Sequence, residues 1–329
     1  MDESTSNGTK KEFKGTLAHM LLSKKYWFIH FWIVSVISIM GLVYMGAATY
    51  MGAPPVPDFK NANGELVISE ADIMKGQEIF HLRGLMNYGS FWGDGAERGP
   101  DFTAEALHAI TVSMKGYYAN QIKPGSVTQD DRLREWRFRI SDYDEGAIEA
   151  RIAKELHVNT FNEDTNTVIL NDAQTDSFEY INWYYTQMFT NADHPEAFYP
   201  TNYISDKQQL KELSAFFFWG AWTSAADRPG DAFSYTSNWP YDPAAGNTPP
   251  PGLMMWSFLS IGILLIGIMI VLYVYGQMRE LPGSPFKLNP TGKILTTPDL
   301  EAGYVRPTQK STYKFFAVAI VAFGLQVLA

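Results

Sequence analysis

Residues 75–103, KGQEIFHLRGLMNYGSFWGDGAERGPDFT, carry the pattern on which the fold assignment rests. Ser69 followed three residues later by Asp72 resembles a capping box, and it predicts a helix that runs through about Leu82. The stretch after this helix is rich in glycine, which predicts a loop. Its glycines are Gly84, Gly89, Gly93, Gly95 and Gly99.

Residues 85–89 of this loop, called the slot below, lack the side chains that attach a haem. Covalent c-type haem requires the order Cys-x-x-Cys-His. The corresponding residues 85–89 read LMNYG, and the chain contains no cysteine, so covalent haem is excluded. The stretch is similar to the haem-attachment region of a cytochrome c without its haem chemistry. We therefore expect a mostly helical, cytochrome-c-like domain lacking haem, with a few short strands and an empty porphyrin-sized slot near Met86.

Two long apolar runs flank this domain. Residues 26–50 and 253–275 carry no formal charge, and each exceeds the ~20 residues that cross ~30 Å of hydrocarbon as a helix. A cleaved signal peptide is the alternative for the first run, although its apolar core is long and no Ala-x-Ala-like site follows. His30 is the only titratable residue in that run. An anchoring role at the membrane border and a functional role both remain open for it.

A third apolar run is shorter. Its fifteen residues, 315–329, would extend only ~22 Å as a helix, which is less than a membrane crossing. We expect residues 314–329 to be a truncated third membrane helix, and the chain to be the N-terminal fragment of a longer protein.

Charge placement predicts the orientation. Residues 51–252 contain 15 Lys and Arg against 29 Asp and Glu, a net charge of −14. Basic residues cluster before the first run and after the second, which favours a cytoplasmic location for both flanks and an outer location for the acidic domain. Such a domain excludes nucleic acid as a partner. The predicted segments are a cytoplasmic tail (1–25), a membrane helix (26–50), the extracytoplasmic domain (51–252), a second membrane helix (253–275), a cytoplasmic loop (276–313) and the truncated helix (314–329).

Capping and periodicity predict further elements in the outer domain. Thr103 is the expected cap of a helix that ends near Asn120. Ser205, with Gln208, is the expected capping box of a helix that ends near Ala226. Further helices are expected over residues 142–157 and 176–189, and a short strand over 168–170.

Three segments together carry a resemblance to one family. They are GLMNYGSFWGDGAERGPDFTAEALH (84–108), FFFWGAWTSAADRPGDAFSYTSNWPYDP (216–243) and MMWSFLS (254–260). In this order they resemble the N-terminal region of quinol-dependent nitric oxide reductases, in the haem–copper oxidase superfamily. The similarity covers nearly all of the chain from about Tyr26 onward.

The resemblance implies the function of a complete enzyme. That enzyme would take two electrons from a quinol and convert two NO and two protons to N2O and water in the bacterial cytoplasmic membrane, with residues 51–252 on the periplasmic side. It would use haem b, a high-spin haem b and non-haem iron, held by a C-terminal haem-bearing membrane domain. Their ligands, and all catalytic residues, are expected beyond Ala329. This segment would anchor and cap that domain in the lipid bilayer, and would be inert alone.

The resemblance also implies a possible metal contact. Haem-bearing relatives place a glycine carbonyl and a tyrosine, which help to hold calcium, at the positions of Gly95 and Glu97. A carbonyl and a carboxylate are reasonable ligands for a hard cation, but Glu97 departs from the usual tyrosine. The alternative is that Asp94, Glu97 and Asp101 are solvated loop acids.

Other interpretations remain open. Trp219 and Trp222 indicate either packing against neighbouring helices or an aromatic route for electrons. A membrane-anchored extracytoplasmic sensor or binding protein is the alternative to an enzyme segment, although residues 276–313 are too few for an output domain. An electron-carrier protein of an oxidase is a third interpretation, and the missing thiols argue against it.

Overall fold

The computed structural model describes residues 24–96, 98–125, 127, 140–191, 200–280, 287–288 and 304–305. The chain divides into two compact units. Residues 1–45 and 256–329 form the first, and residues 46–255 form the second. The predicted tail up to residue 23, most of the 276–313 loop and the third apolar run lie outside the described residues.

Two long apolar helices dominate the described part of the first unit. Helix α1 spans Lys24–Met51 and helix α7 spans Pro251–Glu280. Within them, Phe31–Met51 and Pro251–Tyr273 are long and apolar enough to cross a membrane, and no share of either stretch is buried by protein. Both predicted apolar helices are therefore confirmed, and the chain has the features of a membrane protein. Two short strands, Lys287–Leu288 and Tyr304–Val305, pair in parallel.

In the described part of the second unit, five helices form a bundle. Helix α6 packs against α2, α3 and α5, and α3 also packs against α4 and α5. Every residue of α6 from Leu213 to Ala225 is buried, because a helix that is apolar on all faces needs neighbours all round. The helices are α2 (Glu70–Leu82), α3 (Phe102–Ile122), α4 (Asp142–His157), α5 (Asp172–Thr190) and α6 (Lys207–Ala225).

Short strands complete this unit. In the larger sheet, β1 (Asp58–Lys60) lies between antiparallel β2 (Leu66–Ile68) and parallel β5 (Thr167–Ile169). Phe59 of β1 is fully buried, and its ring lies 5.7 Å from that of Phe218 and 5.5 Å from that of Trp222. The sheet is thus fixed to α6 by aromatic contacts. A two-stranded hairpin joins β3 (Ser90–Phe91) to β4 (Asp94–Gly95).

Two helices begin where the sequence predicts. The amide of Asp72 donates to the Ser69 hydroxyl and the amide of Ser69 donates to the Asp72 carboxylate, which is the capping box expected for α2. Helix α4 begins at Asp142 and ends at His157 as predicted. The mostly helical architecture with a few short strands is confirmed.

Four predicted element starts are wrong by one to four residues. Helix α3 is capped by Asp101 and α6 by Asp206, because in each case the nearby carboxylate, not the hydroxyl of Thr103 or Ser205, accepts the first amides. Helix α5 begins at Asp172 instead of 176, with a capping box between Asn171 and Gln174. Strand β5 begins one residue early, at Thr167.

Candidate functional site

The slot at residues 85–89 is formed by a tight turn after α2. Gly84 adopts a left-handed conformation with φ +60°, which glycine tolerates at no steric cost. A 3-10 helix, Leu85–Asn87, follows it. Leu85 is fully buried and Met86 is partly buried against the core. The backbone of the slot is therefore in contact with the helices of the core.

Phenyl rings fill the interior beside this turn. Phe91 stacks on Phe216 at 4.4 Å, and Phe102 stacks on Phe217 at 4.7 Å. The ring of Phe80 lies within 5.6–6.0 Å of all four. These five rings are called the phenyl cluster below.

Phenyl rings therefore lie directly behind residues 85–89, and the expectation of an empty porphyrin-sized slot near Met86 stays a prediction. A Cβ at Gly89, the last slot residue, would lie 2.9 Å from the Phe102 ring, so the slot backbone rests directly on the phenyl cluster. Protein interiors are close-packed, and a large void would cost several kcal/mol. The slot also offers no thiol and no imidazole, so its residues do not fit a c-type haem.

Asp101 organises the loop between the slot and α3. Its Oδ1 accepts from the amides of Thr103 and Ala104, at 2.9 and 3.0 Å. Its Oδ2 accepts from the Ser90 hydroxyl at 2.7 Å and from the Gly93 amide at 2.8 Å. Because a carboxylate has about four acceptor positions, these four hydrogen bonds occupy all the acceptor positions of Asp101. It is a structural cap, neither a solvated loop acid nor an available metal ligand.

Gly95 lies exposed in the β3–β4 hairpin. Its φ is +144°, and a Cβ would lie 2.6 Å from the Gly89 carbonyl oxygen, so the backbone requires glycine here. Asp94 beside it is exposed, and Glu97 lies outside the described residues. Among the described residues no group of three or more His, Asp or Glu side chains is placed to hold a metal. The calcium contact at Gly95 and Glu97 stays a prediction.

Trp92 is a strained residue that the sequence reasoning missed. It has φ 54°, which is uncommon for a bulky side chain, and with Gly93 it forms a two-residue hairpin turn of positive φ. The amide of Trp92 donates a hydrogen bond to the Thr103 hydroxyl at 3.0 Å. Because this hydroxyl is bonded to the hairpin, Thr103 does not cap α3. Its indole lies 5.3 Å from that of Trp219.

The aromatic residues of α6 serve packing. Trp219 and Trp222 are buried, and Nε1 of Trp219 donates to the Pro55 carbonyl at 2.8 Å. This hydrogen bond fastens α6 to the segment that follows α1. The packing interpretation of these tryptophans is confirmed.

Two histidine–carboxylate pairs hold the segment between α6 and α7. Nδ1 of His108 on α3 lies 3.3 Å from Oδ2 of Asp242. Nδ1 of His157 on α4 lies 2.9 Å from Oδ1 of Asp227. Both aspartates belong to residues 226–250, called the return segment below. Sequence reasoning missed these pairs, since the partners are 134 and 70 positions apart.

Burial and hydrogen bonding act in opposite directions on Asp242. Burial by itself raises the pKa of this carboxyl, but hydrogen bonds with His108 and with the amides of Ala244 and Ala245 outweigh it. The pKa of Asp242 therefore lies below its ordinary value, and the carboxylate is charged at neutral pH.

These features define a class: a helical domain of cytochrome c type, without thioether-forming cysteines, flanked in the sequence by two apolar helices. Residues 57–241 match the family of NorB cytochrome c-like domains, which are domains of nitric oxide reductases. The match covers more than half of the chain, so the chain belongs to the NorB family of nitric oxide reductase proteins. No match was found among curated proteins.

Proposed function

We propose that the chain supplies the outer domain and two membrane anchors of a quinol-dependent nitric oxide reductase. The reaction is 2 NO + 2 electrons + 2 protons giving N2O + H2O. One observation carries the quinol assignment: the slot of the cytochrome c-like domain contains no cysteine and no histidine, and the phenyl cluster packs directly behind it. A domain that carries no haem has no centre through which to relay electrons from a soluble carrier. The remaining source is a reductant dissolved in the membrane.

The iron centres belong elsewhere in this proposal. Iron sites of this kind need several imidazoles that converge from neighbouring helices. The chain has six histidines, of which only His30 lies in α1 and none lies in α7. This set does not fit haem b or non-haem iron. We therefore assign low-spin haem b, high-spin haem b and the non-haem iron to another, haem-bearing membrane domain of the complete enzyme.

The role of this chain is then mechanical. The hydrogen bond from Trp219 to Pro55, together with the two histidine–carboxylate pairs, fastens residue 55 and the return segment to the helices of the outer domain. A rigid domain with two membrane attachments is suited to cap a catalytic domain and to exclude water from it. Localisation on the periplasmic side of the bacterial cytoplasmic membrane, and calcium at Gly95 and Glu97, are parts of the same proposal.

The donor specificity of the assembled enzyme tests this function. NO consumption is measured with a quinol and, separately, with reduced cytochrome c, in membranes that contain the complete protein. We expect turnover with the quinol and none above background with cytochrome c. Turnover with cytochrome c alone would contradict the proposal, and an absence of NO consumption with either donor would favour the anchored binding protein.

A further inference from the structure

A cavity of about 550 Å³ opens at the C-terminal end of α4. Its size falls within the range of ~300–1,000 Å³ that is typical of small-molecule sites. The charged and polar side chains that line it come from α4, the segment after it and the return segment. They are Lys154, His157, Asn159, Asp227 and Arg228.

The uncompensated charge in this cavity is positive. Lys154 is exposed and makes no side-chain hydrogen bond or ion pair within the part of the chain that the structure describes. Asp227 is the only carboxylate among the described lining residues, and it is already bonded to His157 at 2.9 Å. Lys154 and Arg228 thus present two permanent cations in a domain of net charge −14. An anion is the ligand that this arrangement favours.

The helix dipole explains only part of this group of cationic side chains. Lys154 and His157 lie in the last turn of α4, where cations offset the helix dipole without any ligand. Arg228 comes from the return segment, so the dipole of α4 does not explain its presence in the cavity. Its Nη2 donates to the Tyr235 carbonyl at 2.6 Å, while its Nε is buried with no partner among the described residues. The hydrogen bond to Tyr235 therefore fixes the position of the guanidinium.

The position of Arg228 indicates where the anion comes from. A Cβ at Gly52 would lie 3.0 Å from Nη1 of Arg228, and Gly52 directly follows the apolar stretch Phe31–Met51. The guanidinium thus lies beside the residue at which the chain leaves the apolar helix. Lipid headgroups are found at this level of a membrane, and the planar guanidinium matches the geometry of phosphate.

We propose that this cavity binds the phosphate group of a phospholipid headgroup, with Lys154 and Arg228 as its cationic contacts. The bound headgroup would fix the outer domain at the membrane surface beside the end of α1. This inference rests on the cavity and on the apolar helix, and does not depend on the nitric oxide reductase assignment.

Titration of the complete chain tests the site. The 329-residue protein, in detergent and stripped of lipid, is titrated with dihexanoyl phosphatidylglycerol and separately with inorganic phosphate. The imidazole NMR signals of His157, assigned by comparison with His157→Gln, report on the cavity. We expect a saturable shift with the short-chain lipid at concentrations at least about tenfold below those needed with phosphate. Equal affinities would overturn the lipid source, and the absence of a shift with both would overturn the site.

A matched pair of variants assigns the binding to this cavity. Lys154→Gln removes the unpaired cation and should weaken lipid binding about tenfold, as expected for one charge-assisted contact. Lys211→Gln removes the same charge from the exposed surface of α6 and should leave the affinity unchanged. Arg228→Lys keeps the charge but loses the guanidinium geometry, and should also weaken binding. Wild-type affinity in Lys154→Gln, or an equal loss in Lys211→Gln, would overturn the proposal.

Discussion

At Gly76 the backbones of α2 and α6 come into direct contact. A Cβ at this position would lie 2.1 Å from the Glu212 carbonyl oxygen and 2.7 Å from Cβ of Phe216. The obstruction includes backbone atoms, which cannot rotate away as the end of a side chain can. The close helix crossing that supports the phenyl cluster therefore depends on this glycine.

Gly76→Ala should destabilise the outer domain by about 2–3 kcal/mol, because overpacking outweighs the ~1 kcal/mol that alanine gains in a helix. Gly146→Ala is the matched control, since Gly146 is also helical but has nothing within 4 Å of its Cβ position. It should stabilise by about 0.5–1 kcal/mol. Thermal unfolding of the full chain in detergent, followed by tryptophan fluorescence, measures both. Equal effects of the two substitutions would show that the crossing is not tight.

Phe217 tests whether the phenyl cluster is close-packed. The side chain is fully buried and stacks on Phe102. Phe217→Ala should cost about 3–5 kcal/mol of unfolding free energy, and Phe217→Leu clearly less, because it leaves a smaller cavity. A cost below about 1 kcal/mol for Phe217→Ala would mean that the cluster is loosely packed. Chemical denaturation with both variants distinguishes these outcomes.

At the scale of elements, helix starts were predictable where the cap has no competing polar neighbour in the sequence. The Ser69–Asp72 box has no competing neighbour, and its prediction is correct. Asp101 also accepts from Ser90 and Gly93, which lie eleven and eight positions earlier, so the hairpin decides the choice between Asp101 and Thr103. Strands β1 and β2 were missed, because three residues do not give a readable periodicity.

The return segment should respond to acid through Asp242. Its pKa is lowered in the folded state, so its stabilising contribution is fully present above about pH 3.9, the ordinary value. That contribution is lost as the pH falls through the lower folded pKa. Asp242→Asn keeps an oxygen to accept the Ala244 amide but removes the charge facing His108.

We therefore expect Asp242→Asn to be less stable than the wild type by about 0.5–1 kcal/mol near pH 5, after allowance for solvent screening. The difference should shrink as the pH falls through the lowered pKa of Asp242 in the folded state. Unfolding free energies of the full chain across this range provide the measurement. A difference that does not change with pH would show that the His108 pair makes no electrostatic contribution.

At the scale of the whole molecule, sequence predicted the class and the two apolar helices but not the interior. The absence of cysteine was readable from composition, whereas the phenyl cluster joins residues from α2, β3, α3 and α6. Its members Phe80 and Phe217 are far apart in sequence, and no local pattern indicates that their rings meet. The cavity beside Lys154 and the pairs of His108 and His157 could not be predicted either, because their residues are also far apart in sequence.

The haem content of the purified chain tests the central claim most directly, namely that the cytochrome c-like domain is a scaffold without a redox group. The 329-residue protein is produced in cells supplied with haem, and haem per chain is measured from the absorption spectrum and by extraction. The account predicts no bound haem in the wild type, because the slot contains no thiol and no imidazole to attach one. One haem per chain, bound to the outer domain, would contradict it.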